Sequence, residues 1–221
     1  MKQIIILMTL FGFLSCKLTN KKETTPKVVL IDNFDDNSNG WVYSGKDNPT
    51  LTQKIDSGKL YLESSSKKMG VISYINLDLN FSRDFSIESE LKIEGKGDLA
   101  YASLDFGILK ENNAIRNING INVPTTLGDN NFYYGFSDTK EIIIAKWEKG
   151  KETYYFRDHH DSVRLNDYNR LLISKIKDSI YYYLNNELIF KQSFHKLPGK
   201  GFGFSTAPNS KLWVDYIRIT N

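Results

Sequence analysis

Apolar and polar residues alternate along most of this chain with the two-residue period of a half-buried strand, and almost nowhere with the period of a helix. The stretch Phe85-Ser86-Ile87-Glu88-Ser89-Glu90-Leu91-Lys92-Ile93 shows it most cleanly. Phe85, Ile87, Leu91 and Ile93 fall on one face, and Ser86, Glu88, Glu90 and Lys92 on the other. One face is expected in a core and the other in water. Similar short segments recur at 28–32, 59–63, 71–76, 102–109, 132–136, 142–147, 154–157, 171–176, 201–205 and 212–219. Between segments at 180–184 and 188–191, Asn185-Asn186 supplies a two-residue turn that tolerates positive φ, which predicts a hairpin. Many short strands broken by Gly, Asn and Asp predict an all-β, antiparallel two-sheet β-sandwich. Residues 110–131 lack sustained periodicity; so long a run without a strand of its own is uncommon, and 118–123 is the candidate for one.

The first residues break the pattern. After Met1-Lys2, an apolar run over 4–14 closes on Ser15-Cys16, the layout of a secretory signal. It is too short to span a bilayer, which takes about 20 apolar residues. Residues 17–26 are polar and read as a flexible linker, leaving 27–221 as one β-sandwich domain. Cys16 is the only cysteine, so no internal disulfide forms and stability must come from a core. Acidic and basic residues are mixed along the chain, with a net formal charge of +3, and no basic block suggests nucleic acid as a partner.

Phe13-Leu14-Ser15-Cys16 resembles a bacterial lipobox. The resemblance implies acylation of Cys16, through which the mature chain is anchored to a lipid bilayer in the periplasm or at the cell surface. A plain secretory signal with a spare thiol is the alternative. Further on, Ile31-Asp32-Asn33-Phe34-Asp35-Asp36-Asn37 with Gly40-Trp41, then Ser57-Gly58-Lys59-Leu60-Tyr61-Leu62, Tyr183-Leu184-Asn185-Asn186-Glu187 and the closing Leu212-Trp213-Val214-Asp215-Tyr216-Ile217-Arg218-Ile219 together resemble the concanavalin A-like jelly-roll superfamily of lectins and glucanases.

That resemblance implies a carbohydrate ligand and, as in laminarinase-type hydrolases, a structural calcium held by Asp215 with Asp32 and Asp35 as partners. Calcium takes six to eight hard oxygens, which carboxylates at such a seam can supply. The alternative is a turn rich in Asx residues that bond the local backbone. The same hydrolases carry a Glu-x-Asp-x-Glu strand, and the nearest approach here, Glu88-Ser89-Glu90-Leu91-Lys92, lacks its central Asp and final acid. Glu88 and Glu90, joined by Asp105 from a neighbouring strand, are the catalytic candidates, and a solvated polar face is the plainer reading. Glycosidic chemistry needs two carboxylates about 5–5.5 or 6.5–9.5 Å apart.

Trp41, Tyr101, Tyr133, Trp147 and Tyr155 are the candidates for stacking on sugar rings. Asp158-His159-His160-Asp161 holds potential ligands for a transition metal, although adjacent strand residues point to opposite faces. The expectation is a non-catalytic carbohydrate-binding lipoprotein. A glycan-degrading hydrolase or lyase is the runner-up, and an adhesion domain with a protein partner the third reading.

Overall fold

The computed structural model describes residues 27–43, 47–95, 100–109, 114–118, 121–125, 130–149 and 151–221. The apolar leader, Cys16 and the 17–26 linker lie outside the described residues. Every helix or strand among the described residues is a strand: β1 (Val28–Asp32), β2 (Val42–Tyr43), β3 (Leu51–Asp56), β4 (Lys59–Ser64), β5 (Val71–Asn76), β6 (Phe85–Gly95), β7 (Tyr101–Ile108), β8 (Ala114–Ile118), β9 (Ile121–Thr125), β10 (Asn130–Ser137), β11 (Glu141–Glu148), β12 (Lys151–His159), β13 (Asn169–Ile176), β14 (Ser179–Leu184), β15 (Glu187–Ser193), β16 (Gly201–Thr206) and β17 (Ser210–Thr220).

The first sheet has eight strands in the order β15-β14-β13-β6-β17-β4-β3, with β1 also pairing β17. The second has seven, in the order β12-β11-β10-β7-β16-β5-β2, and β8 with β9 forms a separate ribbon. Their pairings are antiparallel. The all-β, two-sheet sandwich expected from the alternation is the architecture observed.

Period-two patterning explains how the sheets close on each other. β6 buries Phe85, Ile87, Leu91 and Ile93 on its inner face. Ser89, on that same face, is fully buried and donates its hydroxyl to the Tyr216 carbonyl, where β17 bulges between Val214 and Ile217. From the second sheet, Leu104, Phe106, Tyr134, Phe136, Phe202 and Phe204 meet this face in one core. Truncating one of these side chains to alanine costs about 2–5 kcal/mol.

The Gly-Phe alternation of β16 is likewise packing. Phe202 and Phe204 point inward, while a Cβ on Gly203 would lie 2.3 Å from the Ser73 carbonyl oxygen, so only glycine lets β5 approach. Asn185 and Asn186 both take positive φ, 49° and 75°, and join β14 to β15 as the predicted hairpin.

Three strands, β2, β3 and one of the β8–β9 pair, were not expected from the sequence. β2 is two residues long, and β3 carries Gln53 and Lys54 at a sheet edge, where one side of a strand is left to solvent and the alternation weakens. The 110–131 run, expected to hold at most one strand, contains the β8–β9 ribbon.

The 32–41 turn is built around Asp32. Its Oδ1 accepts from the Phe34 N–H at 2.8 Å, and its Oδ2 accepts from Asn39 Nδ2 at 2.8 Å and from Trp41 Nε1 at 2.7 Å. These bonds hold Phe34 at φ 57°, a strained conformation for a bulky residue, with its ring in the core beside Trp41 and Phe204. Trp41 is 3% exposed, and its ring packs 5.5 Å from that of Phe204. It is a core residue, which corrects its reading as a sugar-stacking platform.

Candidate functional site

The outer face of the second sheet forms a cleft of about 740 Å³. Strand register explains its shape. One row across the sheet runs Gly203, Asp105, Tyr133, Ala145, Tyr154, and the next runs Ser205, Ser103, Gly135, Ile143, Arg157. From these rows Asp105, Tyr133, Tyr154, Ser205, Ser103, Ile143 and Arg157 line the cleft, with Trp147 beside them. A bulge in β12 lies opposite Ile144 and Ala145. It turns Arg157 toward the same face as Tyr154, where plain alternation would send it to the other side.

Tyr101, Tyr133 and Trp147, three of the predicted stacking residues, line this cleft together. The rings of Tyr101 and Tyr133 meet edge to face at 5.9 Å. Tyr155 does not join them: it stacks between Phe132 at 6.1 Å and His195 at 6.0 Å, against the core.

Asp105 lies at the floor, 3% exposed. Ser103 Oγ donates to its Oδ2 at 2.9 Å and Asn131 Nδ2 to its Oδ1 at 2.7 Å, while Ser103 and Ser205 hydroxyls lie 2.6 Å apart. Burial pushes the Asp105 carboxyl up to about 6, against the hydrogen bonds of Ser205, Ser103 and Asn131, which favour its ionised form. Burial and then the Asp105 charge raise Tyr101, so its phenol keeps its proton. That hydroxyl is buried with no hydrogen bond of good geometry, although Ser103 stands close enough to interact. On the far wall Arg157 grips Glu141 through two bonds of 2.9 Å, and Tyr154 donates its hydroxyl to Glu152.

No protein-family model matches the chain, and no curated protein matches it. Solved structures do. The carbohydrate binding module CBM66 from Bacillus subtilis superposes with a TM-score of 0.54 at 15% identity, over 82% of this chain and 96% of its own. The catalytic domain of an endo-1,3-beta-glucanase (laminarinase) from Thermotoga petrophila gives 0.59 at 15%, over 89% and 98%. The Bacillus licheniformis beta-glucanase gives 0.56 at 13%, over 90% and 100%. The fold is a concanavalin A-like jelly roll.

The outer faces of this jelly roll separate residues that the sequence offered as one catalytic group. Glu88 and Glu90 belong to the first sheet and Asp105 to the second, and each set faces away from the core. A sandwich about 10 Å thick keeps them beyond the carboxylate spacing of glycosidic chemistry. Glu88 is also engaged, accepting from Tyr216 Oη at 2.6 Å and from Arg170 Nη2 at 2.5 Å. Burial opposes its ionisation, but Arg170 and Tyr216 outweigh it and hold the carboxyl below the usual range.

Of the residues suggested as calcium ligands, Asp32 and Asp215 have partners within the protein, and Asp35 is exposed on the 32–41 turn. Both Asp32 oxygens serve the 32–41 turn, and Asp215 pairs with the Lys59 ammonium, which supplies positive charge where a cation was expected. Among the described residues, no group of three or more His, Cys, Asp or Glu is arranged to hold a metal. That also covers His159 and His160. His159 Nδ1 lies 3.2 Å from the Thr139 carbonyl, while His160 Nδ1 accepts from the Ser162 N–H at 3.3 Å.

Two aromatic residues elsewhere in the first sheet are paired. Tyr61 and Trp213 pack at 5.2 Å, with Lys54 over the tyrosine ring and Lys92 over the indole. Sequence reasoning missed Ser103, Ser205, Asn131, Tyr154 and Arg157 in the cleft. The parity that Ser103 shares with Asp105, and Asn131 with Tyr133, was visible within β7 and β10, but neither the strand order that brings in Ser205 and Tyr154 nor the bulge that turns Arg157 was.

Proposed function

We propose that this chain is an exported lipoprotein, tethered through acylated Cys16, whose second sheet binds a carbohydrate without cleaving it. The supporting observation is the cleft in which Tyr101, Tyr133 and Trp147 converge on Asp105. Aromatic faces match the apolar C–H faces of pyranose rings, and hydrogen-bonding groups between them match ring hydroxyls. The jelly-roll likeness to a carbohydrate binding module and to glucanases agrees with this reading, although one fold serves many functions. Binding without cleavage is favoured because the cleft's other carboxylates are engaged, Glu141 by Arg157 and Glu152 by Tyr154.

The second reading is glycan cleavage with Asp105 as the acid, since catalytic acids are tuned toward the working pH and Asp105 is raised to about 6. A glycan array followed by product analysis of every hit separates the two. Retention without new reducing ends supports the binding module; released fragments support the enzyme, and silence on the array sinks both.

A further inference from the structure

The hydrogen bonds beneath the cleft have a direction. We infer that the cleft floor is polarised to accept hydroxyl protons, so that its ligand class is neutral sugar units and glycans bearing uronate or sulfate groups are excluded. The inference rests on the carbohydrate-binding reading.

A serine hydroxyl has one proton to give. Ser103 gives its proton to Asp105 Oδ2 at 2.9 Å. Ser205, 2.6 Å from Ser103, must then donate toward Ser103 or toward the carboxylate itself, and turns lone pairs to the cleft. One amide N–H of Asn131 is also committed to Asp105, at 2.7 Å. An ionised Asp105 thus draws the Ser103 proton and one Asn131 N–H inward and leaves the Ser205 lone pairs facing the cleft, against the second Asn131 N–H and the buried Tyr101 hydroxyl as remaining donors. A sugar hydroxyl donates into such a floor, whereas a carboxylate or sulfate oxygen, which only accepts, meets lone pairs.

Fixed charge acts in the same direction. Among the described residues the lining holds three carboxylates, Asp105, Glu141 and Glu152, against a single cation, Arg157, which Glu141 already holds by two bonds of 2.9 Å. An anion entering beside a buried carboxylate loses hydration and gains no free cation. A neutral ring loses much less.

The test uses the full chain purified in detergent, neutral oligosaccharides and the same oligosaccharides oxidised at C6 to uronates, compared by calorimetric titration at about pH 7.5. The expected result is that a neutral oligomer binds at least about tenfold tighter than its oxidised counterpart. Asp105→Asn should shrink that gap to within about threefold, and Ser205→Ala should weaken the neutral ligand at least about fivefold while leaving the melting temperature near wild type. An oxidised oligomer that binds as tightly as its parent overturns the ligand class and leaves carbohydrate binding standing. So does a gap that survives in folded Asp105→Asn. If no oligomer of either kind binds, carbohydrate binding itself fails, and the ligand class with it.

Discussion

Tyr133 stands directly opposite Asp105 in the β7–β10 ladder, so an aromatic ring that lines the cleft, 8% exposed, sits beside the carboxyl that organises its floor. Neighbouring strands lie about 4.8 Å apart, which places the two within the footprint of one pyranose. The pairing concerns one sheet face alone, and the predictions below separate it from the structural work done elsewhere in the sandwich.

Trp147 lies two residues along β11 from Ala145, the partner of Tyr133, and stands opposite Asn131 and Glu152. Being partly exposed, it contributes contact area to the cleft more than to the core. Trp147→Ala is expected to weaken glycan binding by about tenfold or more, with only a small change in melting temperature. Titration and thermal melts on one preparation check this; equal losses in both would assign the residue to stability.

Asp105 is lifted from an ordinary 3.8 to about 6. Between those values the folded protein holds a proton that the unfolded chain has released. This group's contribution to stability therefore falls as pH rises from about 4 to about 6, and stays low above that. A gap of two units corresponds to about 3 kcal/mol. Asp105→Asn should melt higher than wild type at about pH 7.5, with the difference closing toward pH 4. A variant that melts lower at neutral pH would make the charge structural.

Asp32 joins three donors in the 32–41 turn, including the buried indole of Trp41. Asp32→Ala leaves that N–H without a partner and is expected to cost about 2–4 kcal/mol, read from urea unfolding. Loss below about 1 kcal/mol would show that the turn holds without it.

Lys59 meets Asp215 on a partly exposed face, and such pairs contribute at most about 1 kcal/mol. With Lys59 in that place, removing calcium with a chelator should leave the melting temperature unchanged, and Asp215→Ala should lower it only slightly. A chelator-induced drop that Asp215→Ala abolishes would mean that Asp215 releases Lys59 to a metal.

If Cys16 carries the acyl anchor, Cys16→Ser moves the protein from the membrane fraction to the soluble fraction on cell fractionation. Retention on the membrane would require a different attachment.

Alternation alone made much of the sandwich legible. The 85–93 segment showed which side of β6 is core because side chains on a strand must alternate, and Asn185-Asn186 marked the hairpin because few residues accept positive φ twice in succession. β3 was missed because an edge strand has one side open to water and needs less apolar patterning. Trp41 was misread because a tryptophan beside a turn looks the same in sequence whether it faces solvent or is drawn inward by Asp32. Tyr101, Tyr133 and Trp147 were found one at a time, with nothing to show that they share a face.

Composition, period and turn chemistry are local, and by themselves they determined most of the strands, the two-layer architecture and the apolar run at 4–14 before Cys16. The partnership of distant strands was decided only by tertiary structure. β7 pairs with β10 and β16, far from it in sequence, while β6, its neighbour in the chain, lies in the other sheet. That arrangement gathered Asp105, Ser103, Ser205, Asn131 and Tyr133 on one face and sent Glu88 and Glu90 to the opposite one. The physical reason is that a sheet is assembled by backbone hydrogen bonds, which carry no mark of the side chains they bring together.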